Sequence, residues 1–123
     1  ELILQEATNN LMRVQLSHYG KFRREEIHKK YSSLLLALTK CIETKKCDDM
    51  ISYMDLITDE RFVSGFEEEE IQIALNIFEE AFWKNIRSHV DERSHFEAKK
   101  TITTIIDKAK EAMLEDYVTL KKS

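Results

Sequence analysis

The side chains in this chain that could do chemistry are four histidines, two cysteines, two runs of glutamate and a band of aromatics. The histidines are His18, His28, His89 and His95. A metal or haem site needs such ligands to converge from facing helices. No HxxxH pair occurs, so the zinc spacing of helical metalloenzymes is missing. His18 follows Val14 by four residues on an apolar stripe, which suits a boundary histidine bonded to a backbone carbonyl. Neither a metal nor a cofactor is expected. Cys41 falls on an apolar stripe and reads as a small core residue. Cys47 falls in a connection beside Lys45 and Lys46, where a redox role is the alternative to an idle surface thiol. The spacing of the pair does not suggest a secreted disulfide framework.

Glu67–Glu70 and Glu79–Glu80 supply carboxylates, but a working acid–base pair needs one carboxyl in an apolar setting. Glutamates at a helix start serve the unpaired N–H groups there, so a structural role is expected. Tyr53, Phe62, Phe66, Phe78, Phe82 and Trp83 either fill the core or line a pocket between helices. Phe82 and Trp83 are adjacent and cannot face the same way. The ligand-pocket candidates are therefore His18, Tyr53, Phe78, Phe82 and Trp83. The chain has two glycines, Gly20 and Gly65, too few for a phosphate-cradling loop, and no nucleophile elbow. The domain is not expected to be an enzyme.

The elements that must position these residues are helices. The 123 residues fit one domain, 1–123, able to bury a core without staples. There is no proline, and a sheet protein would need more turn formers. Apolar periodicity predicts five helices, over about 2–18, 23–44, 49–63, 67–90 and 95–120. Their stripes are Leu4, Ala7, Leu11 and Val14, widened by Met12 and Leu16; then Ile27, Tyr31, Leu34, Leu38, Cys41 and Ile42. Met50, Tyr53, Met54, Ile57 and Val63 follow, then Ile71, Ala74, Leu75, Phe78, Phe82 and Ile86. The last is Ile102, Ile105, Ile106, Ala109, Met113, Tyr117 and Leu120. Gly20 and Gly65 are expected as helix stops, Asp48 as an N-cap, and Ser94 with Glu97 as a capping box. The expected fold is all-α, an antiparallel bundle of four to five helices or a globin-like arrangement of the same pieces.

The net charge of -4 and pI near 5.6 disfavour nonspecific nucleic-acid binding, which needs a basic face. The longest apolar run, Leu34–Leu38, is far short of a membrane span. No signal peptide is visible, which points to the cytoplasm. The chain starts at Glu1 and stops within a helical pattern, as a piece of a longer protein would.

The tract Arg61-Phe62-Val63-Ser64-Gly65-Phe66, followed by Glu70, Ala74-Leu75 and Phe82-Trp83, carries a resemblance. It resembles the N-terminal sensor domain of RsbR-type stressosome regulators and similar input domains ahead of bacterial histidine kinases. The likeness spans Tyr31 to Ile86 in helix order but rests on about eight positions. It implies a cytoplasmic, homodimeric, non-haem globin-like domain whose last helix leads to a downstream effector. The tract itself reads as architecture: Gly65 for the reversal, Arg61 for terminal carbonyls or the glutamates, Phe66 as a staple. A free-standing helical adaptor that binds a partner helix is the alternative.

Overall fold

The computed structural model describes residues 2–14, 22–44, 46–89 and 91–122, apart from the side chains of residues 86, 88 and 89. They form five helices: α1 (Leu2–Val14), α2 (Arg24–Thr44), α3 (Asp48–Val63), α4 (Glu68–His89) and α5 (Glu92–Lys122), with no strand among the described residues. The fold is an all-α helical bundle. No described helix is long and apolar enough to cross a membrane.

The helices close a ring. α1 packs on α2, α2 on α3, α3 on α5, α5 on α4 and α4 back on α1, with a lesser contact between α2 and α5. Short connections favour packing between consecutive helices, and α1–α2, α2–α3 and α4–α5 obey this. α3 and α4 do not: α5 packs against both, as the main partner of α3 and, after α1, the second of α4. The reason lies in the last stripe, whose Ile102, Ile105, Ile106, Ala109, Met113 and Tyr117 are all buried. So wide an apolar face needs two partners, and the angle between α3 and α4 supplies them. Phe66, Glu79 and Trp83 of the α4 side meet Tyr117, Lys110 and Lys99 in reverse order, so α4 and α5 run antiparallel.

At the centre, Leu38, Met50, Met54, Phe78, Ile106 and Met113 are essentially sealed from solvent. Most described stripe residues take their expected places; Leu16, Gly20 and the Ile86 side chain lie outside what is described. Val63 is the clearest exception, at 85% exposed. The buried line of α3 runs Met50, Met54, Ile57, Thr58 and Arg61, so Arg61 continues the stripe and Val63 stands off it. Met12, Val14 and Ile42 are also exposed, on the rims of α1 and α2.

Two helix starts differ from expectation. The N-cap of α3 is Cys47, which makes no side-chain capping bond, and Asp48 is the first helical residue. There Asp48 and Asp49 act through charge at the dipole's positive end. α5 begins at Glu92, so Ser94 is its third residue rather than its cap. The Ser94 N–H donates to the Asp91 carbonyl at 2.8 Å, which opens the helix a turn earlier. α2 and α4 share another device: Glu26 accepts from the Arg23 N–H at 3.1 Å, and Glu70 from the Glu67 N–H at 3.3 Å. Each glutamate reaches back from the first turn to the residue before the helix, half of a capping box.

Candidate functional site

The turn between α3 and α4 is tied by backbone bonds, aromatic rings and the end of α5. Gly65 has φ 87°, the left-handed conformation that only glycine adopts without a Cβ clash. The Gly65 N–H donates to the Phe62 carbonyl and the Phe66 N–H to the Arg61 carbonyl, both at 3.0 Å. This pair of bonds is a Schellman motif, which takes up two of the orphan carbonyls at the end of α3. An apolar contact usually spans such a motif, from the residue after the glycine back to the helix. Here that position on α3 is Arg61, whose guanidinium lies 5.1 Å from the centre of the Phe66 ring.

Arg61 is 2% exposed. Its other aromatic neighbour is Phe22, at 4.8 Å from the ring centre, and Phe22 meets Phe66 edge to face at 5.6 Å. Arg61 also approaches Glu60 Oε1 at 3.3 Å, and Lys30 of α2 reaches the same oxygen at 3.0 Å. A planar, weakly hydrated cation suits such a place better than an ammonium would.

The end of α5 closes the turn from the other side. The Tyr117 hydroxyl donates to the Phe66 carbonyl at 2.9 Å, and its ring meets Phe62 edge to face at 5.3 Å. Burial, together with the carboxylates of Glu67, Glu68 and Glu70, pushes the phenol up from its ordinary value. Tyr117 therefore keeps its proton as a donor at neutral pH. Arg61, Gly65, Phe66 and Glu70 thus meet at one turn, joined there by Phe22 and Tyr117. Phe22 lies outside any helical stripe, so periodicity gives no signal for it. Tyr117 reads in sequence as one more core residue.

Beneath this turn lies a cavity of about 40 Å³, lined among others by Leu11, Tyr31, Tyr53, Met54, Arg61 and Leu75. That volume takes a few water-sized guests, against roughly 300–1,000 Å³ for a drug-sized ligand. Tyr53 borders it and donates its hydroxyl to the Lys30 carbonyl at 3.1 Å, binding α3 to α2. Tyr31 donates to the Ala74 carbonyl of α4 at 2.8 Å and stacks on Phe78 at 5.6 Å.

The pocket candidates do not converge. Phe78 is sealed in the core, and Phe82 tilts against it at 6.2 Å. Trp83 faces the other way, onto a surface groove of about 310 Å³ between α4 and α5 that Glu79, Glu80 and Lys99 also line. There His95 meets its ring edge to face at 5.9 Å and Lys99 lies 5.1 Å from its centre. His18 lies outside the described residues. Two Glu-x-x-His pairs, a spacing used by di-iron bundles, stand at Glu25–His28 and Glu92–His95. They begin α2 and α5, and no cluster of three or more metal-ligating side chains forms among the described residues.

Two further groupings lie outside the turn. Cys41 and Cys47 are free thiols with their sulfurs 2.8 Å apart. On the α3–α5 face, the Asp116 carboxyl faces that of Asp59, with Asp55 nearby. Burial first, then these two neighbours, pushes the Asp116 carboxyl up to about 6.

No protein-family model matches the sequence, and no curated protein or solved structure matches it.

Proposed function

We propose that this chain is the sensory or regulatory input domain of a bacterial signal-transduction protein of the stressosome or histidine-kinase kind. It acts as a homodimer in the cytoplasm and is not itself catalytic. A change in the helical core reaches a downstream effector through α5. One observation carries most weight: the Tyr117 hydroxyl joins the end of α5 to the Phe66 carbonyl in the α3–α4 turn. That turn is where the resemblance to stressosome-type sensor domains is concentrated. Small helix shifts at subunit interfaces are an established route for passing a signal, and α5 would carry one.

Two experiments test this reading. The coding sequence beyond Ser123 should encode an effector module, or the full-length protein should recruit one. Light scattering should give twice the chain mass at micromolar concentration; a monomer at every concentration removes the dimer.

A second reading, a helical adaptor, draws on the exposed Leu56 and Val63, seven residues apart on α3. A partner helix could lie along that line. Binding of an amphipathic helical peptide that Leu56→Ser abolishes would favour the adaptor.

A further inference from the structure

The end of α2 and the start of α3 bring two thiols together. Cys41 lies in the last turn of α2 and is 2% exposed; Cys47, the N-cap of α3, is half-buried. The chain is folded back between them by Thr44, whose hydroxyl donates to the Lys40 carbonyl at 2.8 Å and accepts from the Lys46 N–H at 3.3 Å. The result is a sulfur–sulfur separation of 2.8 Å. A disulfide bond is about 2.05 Å long, so closure needs an approach of less than about 1 Å.

We infer that Cys41 and Cys47 are a modification site, a dithiol that closes reversibly to an intramolecular disulfide and pins the end of α2 to the start of α3. Nothing in this depends on the sensory reading. The oxidant is a small-molecule disulfide of the glutathione class. Cys47 is the accessible partner and reacts first. Its thiol loses a proton to solvent, and its sulfur attacks one sulfur of the oxidant. A mixed disulfide forms on Cys47 and one small thiolate leaves, to be protonated. The Cys41 sulfur then attacks Cys47 Sγ, its proton passing to the departing small thiolate. The second small thiolate leaves. Two protein thiols are oxidised by two electrons in all, and one small disulfide is reduced to two thiols.

The surroundings fit this order. Burial, then the contact with Cys47, pushes the Cys41 thiol up to about 12, so Cys41 is poorly suited to attack a free oxidant. It acts only on a disulfide delivered beside it.

The test is a titration of the full chain with mixtures of reduced and oxidised glutathione, quenched with acid, alkylated, and read by intact mass and peptide mapping. The wild type should lose two hydrogen atoms, with Cys41 and Cys47 linked in one peptide. Cys41→Ser should instead accumulate one glutathionyl group on Cys47. Cys47→Ser should remain unmodified while folded, because Cys41 is buried. The wild-type measurement stands alone if either variant fails to fold. A stable glutathionyl adduct on Cys47 of the wild type, or two thiols that alkylate fully at every ratio, would overturn the inference. So would a disulfide found only between chains.

Discussion

The Tyr117 hydroxyl donates to the Phe66 carbonyl across 2.9 Å, bridging 51 residues of sequence. It fastens the last turns of α5 into the apex between α3 and α4. The acceptor immediately follows the one described glycine with positive φ. A loss at either side should therefore be felt at both.

Tyr117→Phe keeps the ring against Phe62 and removes only the hydroxyl. The Phe66 carbonyl then lies buried with its side-chain donor gone. A net loss of about 1–2 kcal/mol is expected. Urea denaturation checks it, with an unchanged m-value showing that the fold is kept.

Gly65→Val places a β-branched residue at φ 87°. The penalty should be at least about 1 kcal/mol, and larger if the Schellman bonds open. A melting temperature equal to wild type would mean that this turn adopts another conformation in solution.

Arg61→Lys keeps the charge and discards the planar face set between Phe22 and Phe66. A more strongly hydrated ammonium must then be buried in that site. Destabilisation of about 1–2 kcal/mol is expected, although the substitution is formally conservative. Parallel melting curves for the variant and the wild type measure it.

Asp116 offers a pH test. Its folded-state pKa of about 6 stands above the ordinary 3.8. The folded protein therefore holds this proton more tightly than the unfolded chain does. The stabilising contribution is complete below about pH 4 and is lost as pH rises through 6. Asp116→Asn should then be more stable than the wild type above pH 6, by roughly 1 kcal/mol after discounting for partial exposure. The gap should close towards pH 4. A gap independent of pH would show that Asp116 is ordinary.

The five helices are legible in sequence because each carries a stripe that buries one face, as Ile102, Ile106, Ala109 and Met113 do on α5. The ring order is not legible, because spacing along one helix says nothing of which two helices a wide face will meet. Val63 misleads for a related reason. It is apolar, yet the stripe passes through Arg61, whose guanidinium lies against the rings of Phe22 and Phe66 and beside Glu60. The start of α5 is ambiguous because Asp91 and Ser94 both suit a cap. Within the site, Gly65 is readable from its type alone, since one glycine between two apolar helices must mark a reversal. Phe22 is not, lying between helices where no period applies. The adjacency of Phe82 and Trp83 does foretell that they part, one to the core and one to the α4–α5 groove.

On the proposed sensory reading, the most direct measurement is the output of the effector joined to this domain when it carries Tyr117→Phe, compared with wild type at equal abundance and with the domain folded. If α5 passes a signal from the α3–α4 turn, the basal output should shift at least severalfold. An output indistinguishable from wild type, with Tyr117→Phe confirmed to have lost the expected stability, would contradict transmission through this junction.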